Sequence, residues 1–90
     1  MGTTRTARTL DLDYCKMRVL LRQWRNDAGL TIRTLGERLR KQHSYVSKVE
    51  VGNRRIDPLE FIYWCEACGV DPSKKLKELQ ALVANLKSLP

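Results

Sequence analysis

Residues 38–53 read RLRKQHSYVSKVEVGN. The first half is basic and polar, the second half is helix-like, and Gly52 closes it. Val46 and Val49 stand three positions apart, so on a helix they share one face. With that pair as the inward anchor, Gln42, His43, Ser44, Ser47 and Lys48 turn outward. The outward face carries no carboxylate until Glu50, an odd feature for a helix that is merely solvated. A helix over about residues 43–51 is the expectation, stopped by the left-handed conformation that glycine supports.

The flanking segments read as a scaffold for this helix. Thr31 precedes the pattern Ile32, Leu35, Leu39 and suits a cap, which predicts a short helix over roughly 31–40. Within it Gly36 has no side chain and would let another helix backbone come close. Ahead of that, Met17, Leu20, Leu21, Trp24 and Ala28 form one stripe, with Asp13 as the expected cap and Gly29 as the stop. Residues 1–11, MGTTRTARTLD, are polar and unpatterned and read as a flexible basic arm. Downstream, DPLE announces a fourth helix: Asp57 as cap, Pro58 at the first position, Glu60 reaching back. It carries Leu59, Ile62, Cys65 and Cys68 as far as Gly69. DPSK repeats the device with Asp71 and Pro72, opening a fifth helix to near Leu89. No strand alternation, repeat or low-complexity tract is visible. The fold class expected is all-α with five helices, divided as 1–11 arm, 12–70 domain and 71–90 extended C-terminal helix.

Ninety residues, 42% of them hydrophobic, suffice for one domain with a modest core. No apolar run is long enough to span a bilayer, and the start lacks the apolar centre of an export signal, so a cytoplasmic protein is expected. MGTTRT fits the myristoylation pattern at Gly2 and Thr6, a pattern that recurs by chance. The net charge is +7 and uneven: residues 1–56 hold 13 Lys and Arg against 5 Asp and Glu, net +8, while residues 57–90 hold 4 against 5, net −1. A polyanion at one end and a protein contact at the other would match this asymmetry. Three cysteines, an odd count, argue for reduced thiols rather than a disulfide framework. A zinc site at Cys65 and Cys68 would have only Cys15 and His43 to complete it, whereas helical spacing puts both thiols on a core face. No metal and no cofactor is therefore expected. One histidine and no glycine-rich phosphate loop leave little from which to build an enzyme. Phe61, Tyr63 and Trp64 lie in a helical pattern away from the basic segment, which argues against single-stranded RNA.

From Leu21 to Val70 the order of residues resembles the Cro/phage-repressor (XRE-like) class of helix-turn-helix domains. LRQWRNDAGLT looks like the end of that family's first helix, LGERL its second, SYVSKVEVGNR its recognition helix and exit, and EFIYWCEACGV its fourth. Cys65 and Cys68 fall where the family is usually apolar. The resemblance implies a five-helix repressor-like domain that binds duplex DNA and regulates transcription, as a repressor of bacterial or phage type. Physically, a helix has the width to enter the major groove, where each base pair shows a distinct pattern of donors, acceptors and methyls. Gln42, Ser44 and Ser47 can donate and accept, Lys48 only donates and suits guanine, and His43 suits a base or a phosphate equally.

Around this face the expected phosphate ligands are Thr31 and Arg33 at the second helix, Arg40 and Lys41 in the turn, and Asn53, Arg54 and Arg55 after the recognition helix. Tyr45 can touch a phosphate or pack along the first turn. Together these would neutralise about 5–8 phosphates per monomer. Several family members pair the glutamate at the Glu50 position with an arginine of the first helix, here Arg25. The sequence departs from the family at Arg40 and Lys41, which replace a glycine and an apolar residue, at Gln42, a weak cap, and at Ile32, which replaces a frequent phosphate-binding glutamine. Leu76, Leu79, Val83 and Leu86, widened by Leu82 and Leu89, form a long apolar stripe. That stripe suggests a homodimer on a pseudo-palindromic operator, with recognition helices about 34 Å apart. An antitoxin-like component, whose C-terminal helix holds a different protein while the domain also binds DNA, is the rival reading.

Overall fold

The computed structural model of the chain describes residues 7–88, with side chains over 12–84. It contains α1 (Ala7–Asp27), α2 (Ile32–Leu39), α3 (His43–Val51), α4 (Pro58–Ala67) and α5 (Pro72–Ser88), and no strand among the described residues. The first four helices end in one kind of turn, with a left-handed residue at Gly29, Arg40, Gly52 and Gly69. In each the next residue reaches back over the last turn: the N–H of Leu30, Lys41, Asn53 and Val70 donates to the carbonyl of Arg25, Gly36, Lys48 and Cys65 at 2.8–3.1 Å. These bonds satisfy carbonyls that a helix end would otherwise leave orphaned.

Helix starts follow their capping residues where such residues exist. Thr31 accepts from the Thr34 N–H at 3.0 Å, and Thr34 Oγ1 accepts from the Thr31 N–H at 2.8 Å. Asp57 and Glu60 form the same reciprocal box at 2.8 and 2.9 Å. The Asp71 carboxylate accepts from the Ser73 N–H at 2.9 Å. The start of α1 differs from the expectation. Asp13 is not a cap; α1 begins at Ala7, and Asp13 lies inside it, paired with Lys16 at 3.0 Å. The expected arm thus overlaps the helix, and residues 1–6 lie outside the described residues.

The core joins Leu21 and Trp24 of α1, Leu30, Leu35 of α2, Val46 and Val49 of α3, and Phe61, Trp64, Cys65 and Cys68 at α4. Two expectations are corrected here. Ala28 lies beyond α1 and is exposed. On α4, Leu59 and Ile62 point outward, 61% and 37% exposed, and Phe61 and Trp64 take the inward places. The two indoles also bind polar partners: Trp64 Nε1 donates to the Leu21 carbonyl and Trp24 Nε1 to Glu78 of α5, both at 3.1 Å. A buried indole N–H without such a partner would be costly. Burial holds Cys65 and Cys68 as neutral thiols, pushed up to about 12 and about 11. Among the described residues no helix is long and apolar enough to cross a membrane.

Candidate nucleic-acid interface

The interface begins at Gly36. A Cβ there would lie 3.1 Å from the Lys41 carbonyl oxygen and 3.2 Å from the His43 Cα, so the missing side chain is what lets the turn and the start of α3 settle on α2. Leu35 on one side and Val46 and Val49 on the other then meet in the core, all fully buried. The turn is tight because Arg40 itself adopts the left-handed conformation, φ 56°. Its side chain, and that of Lys41, are left exposed beside α3.

Two arginines of α1 fix α3 at its far end. Arg25 grips Glu50 with both arms of its guanidinium, Nε to Oε2 at 2.6 Å and Nη2 to Oε1 at 2.9 Å, while Nη1 donates to the Leu30 carbonyl at 2.9 Å. The two side chains are 9% and 6% exposed. The bond to Glu50 raises the Arg25 pKa further above its ordinary value. Glu50 therefore faces its own scaffold and leaves the exposed edge of α3 without a carboxylate. Arg18 is the second clamp, and no feature of the sequence singled it out. Its Nη1 donates to the Glu50 carbonyl at 3.1 Å, at the negative end of α3. The guanidinium lies only 2.9 Å from where a Gly52 Cβ would be. The contact spans 32 positions, so no local pattern could have announced it.

With its ends held, α3 exposes Gln42, His43 and Lys48, with Ser44 and Ser47 half-buried between them and the scaffold. Gln42 makes no side-chain capping bond, so its amide is available to another partner. Thr31, Arg33, Arg40, Lys41, Asn53, Arg54 and Arg55 are exposed around this face. Several of them are already engaged. Thr31 is spent in its capping box. Arg54 makes a twofold bond with Glu60 at 3.0 and 3.1 Å, and its guanidinium lies 4.7 Å from the Tyr45 ring centre. Arg55 stacks on Tyr14 at 4.3 Å. Of the two roles open to Tyr45, packing is the one its position displays: it is half-buried against the core, with Lys41 5.4 Å over its ring. Burial, and next to it the Glu60 carboxylate, push its hydroxyl up to about 12. Ile32, first residue of α2, is half-buried and packs on the core beside this face.

These parts, a short α2 backing an exposed α3 across a tight turn, coincide with a known domain. Residues 17–76 match the family described as helix-turn-helix domain. A solved XRE-family-like protein from Pseudomonas syringae pv. tomato is 38% identical, with 80% of this chain and 88% of that one covered and a TM-score of 0.76. The chain belongs to the XRE-like helix-turn-helix family. It is also similar to the clp gene regulator ClgR of Corynebacterium glutamicum, 26% identical over 84% of this chain and 81% of that one, with a TM-score of 0.71. No curated protein matches the chain.

Proposed function

We propose that this XRE-like protein is a transcriptional regulator that binds duplex DNA by laying α3 in the major groove. One observation carries the reading: the outward edge of α3 offers Gln42, His43 and Lys48 to solvent, while Glu50, its only carboxylate, is turned inward and neutralised by Arg25. A groove lined by negative phosphates would reject the same helix with Glu50 free. The similarity to a gene regulator supports a role in transcription. Gln42, His43, Ser44, Ser47 and Lys48 are assigned to base edges. Arg33, Arg40, Lys41 and Asn53 are assigned to phosphates. Arg54, already bound to Glu60, and Tyr45, packed beneath it, contribute less.

The proposed working unit is a homodimer that represses by occupying an operator. Supporting this is an open apolar groove of about 570 Å³ between α1, α4 and α5, lined by Met17, Phe61, Ile62, Leu76 and Leu79. Leu76 and Ile62 of its lining are 55% and 37% exposed, so the apolar surface of the groove continues to the outside of the domain. Leu86 and Leu89, the distal part of the expected stripe, lie outside the residues whose side chains are described.

Selection of random duplexes by the purified protein tests the reading. A single recovered motif, changed or lost with Lys48→Ala and Ser44→Ala, is the expected result. Recovery of the same motif by both variants would remove the base-reading assignment. Absence of any enriched duplex would remove DNA binding itself. An unrelated protein that co-purifies with the chain, in place of a second copy, would favour the antitoxin-like reading.

A further inference from the structure

Between the start of α2 and one side of α3 lies an open hollow of about 580 Å³. Leu30 and Ile32 provide its apolar surface, Asn26 and Arg33 stand at its edge, and His43 and Ser47 of α3 line it from the other side. Leu30 is buried, whereas Ile32 is half-buried, resting on the core with the remainder of its side chain uncovered. His43 and Ser47 are four apart and share a face of α3, so a base edge approached by either is carried towards Ile32. Among the groups a major groove presents, donors and acceptors gain nothing from an uncovered isoleucine. The 5-methyl group of a pyrimidine is the one apolar feature there.

We infer that Ile32, backed by Leu30, is a specificity residue that seats a pyrimidine 5-methyl group. This rests on the DNA-binding reading above and adds a contact from α2 to those assigned to α3. Thymine and 5-methylcytosine carry the same group in the same place, so either can be the source.

Deleting the methyl from the DNA tests this without disturbing the protein. In the duplex recovered by selection, each thymine is replaced in turn by deoxyuridine, and each cytosine separately by 5-methylcytosine. Binding is measured for the parent, Ile32→Ala and Ile32→Val, with a thermal melt of each protein to choose a temperature at which all are folded. For the parent, loss of the seated methyl should weaken Kd by about fourfold, the value of one buried apolar carbon. Ile32→Val should keep most of this dependence and Ile32→Ala should reduce it below about twofold. A fall on thymine-to-uracil exchange identifies thymine as the source. A gain of similar size confined to one methylated cytosine identifies 5-methylcytosine. If no position responds, or if Ile32→Ala responds as the parent does, Ile32 does not seat a methyl, even though the protein binds its site. A protein that selects no duplex would overturn the DNA reading, and this inference with it.

Discussion

Arg25 shows what a buried ion pair does in so small a domain. Its guanidinium satisfies two carboxylate oxygens and one backbone carbonyl with little water present, so removing it strands Glu50 in the interior. Arg25→Ala should cost about 3–5 kcal/mol, read as a drop in the denaturant midpoint, and an unchanged midpoint would show the pair to be dispensable. The cysteines behave differently because burial outweighs the pull of the cations near them. Their thiols sit above the ordinary 9.0, at about 12 for Cys65 and about 11 for Cys68. The unfolded chain ionises first as pH rises, so the stability their neutral form supplies is complete below pH 9.0 and drains away towards pH 11–12. A series of melts across that window should fall more steeply for the parent than for Cys68→Ala. Thiol labelling of the native protein near neutral pH should modify Cys15, which is exposed, and reach Cys65 and Cys68 only on unfolding. At this scale the resemblance made the Arg25–Glu50 pair legible, whereas Arg18 was invisible because its acceptor is a backbone carbonyl, an atom every residue carries.

Among the elements, the turn between α2 and α3 departs from its three siblings. Gly29, Gly52 and Gly69 occupy the left-handed position elsewhere, and Arg40 occupies it here. A side chain in that conformation costs about 1–2 kcal/mol, part of which a glycine gives back as freedom in the unfolded chain. Arg40→Gly should therefore stabilise the fold by about 0.5–1 kcal/mol while weakening DNA binding through the lost charge. Opposite movements of melting temperature and Kd are the expected pair of results. A loss of both would mean the Arg40 side chain supports the turn. The bounds of α2 and α3 were readable because Thr31 and Gly52 act within one turn of the helix they delimit. The start of α1 was misleading because Asp13, a residue that suits a cap, stands just before the stripe that opens at Met17, although it lies inside the helix. On α4 the difficulty was surplus: apolar residues at 59, 61, 62, 64 and 65 satisfy more than one helical stripe. Only packing against Leu21 and Trp24 selects Phe61 and Trp64 over Leu59 and Ile62.

For the whole molecule, the uneven charge and the apolar groove make linked demands. The reading face keeps Arg33, Arg40, Lys41 and Lys48 exposed, with no bond to a carboxylate among the described ion pairs. Three of these at phosphates and Lys48 in the groove amount to about four counterions displaced per monomer, fewer than the sequence implied, because Arg54 is bound to Glu60 and Arg55 is stacked on Tyr14. The logarithm of the binding constant should then fall with the logarithm of salt at a slope of about −4 for one copy and about −7 for a pair on one site. Leu76→Glu separates the two cases. The position is 55% exposed, so the charge is tolerated by the lone domain but not by a seam between copies. The parent should sediment as a dimer at tens of micromolar and the variant as a monomer, with the salt slope falling by about half. Equal sedimentation and equal slopes would move the contact between copies away from α5, or leave a single copy as the unit that binds.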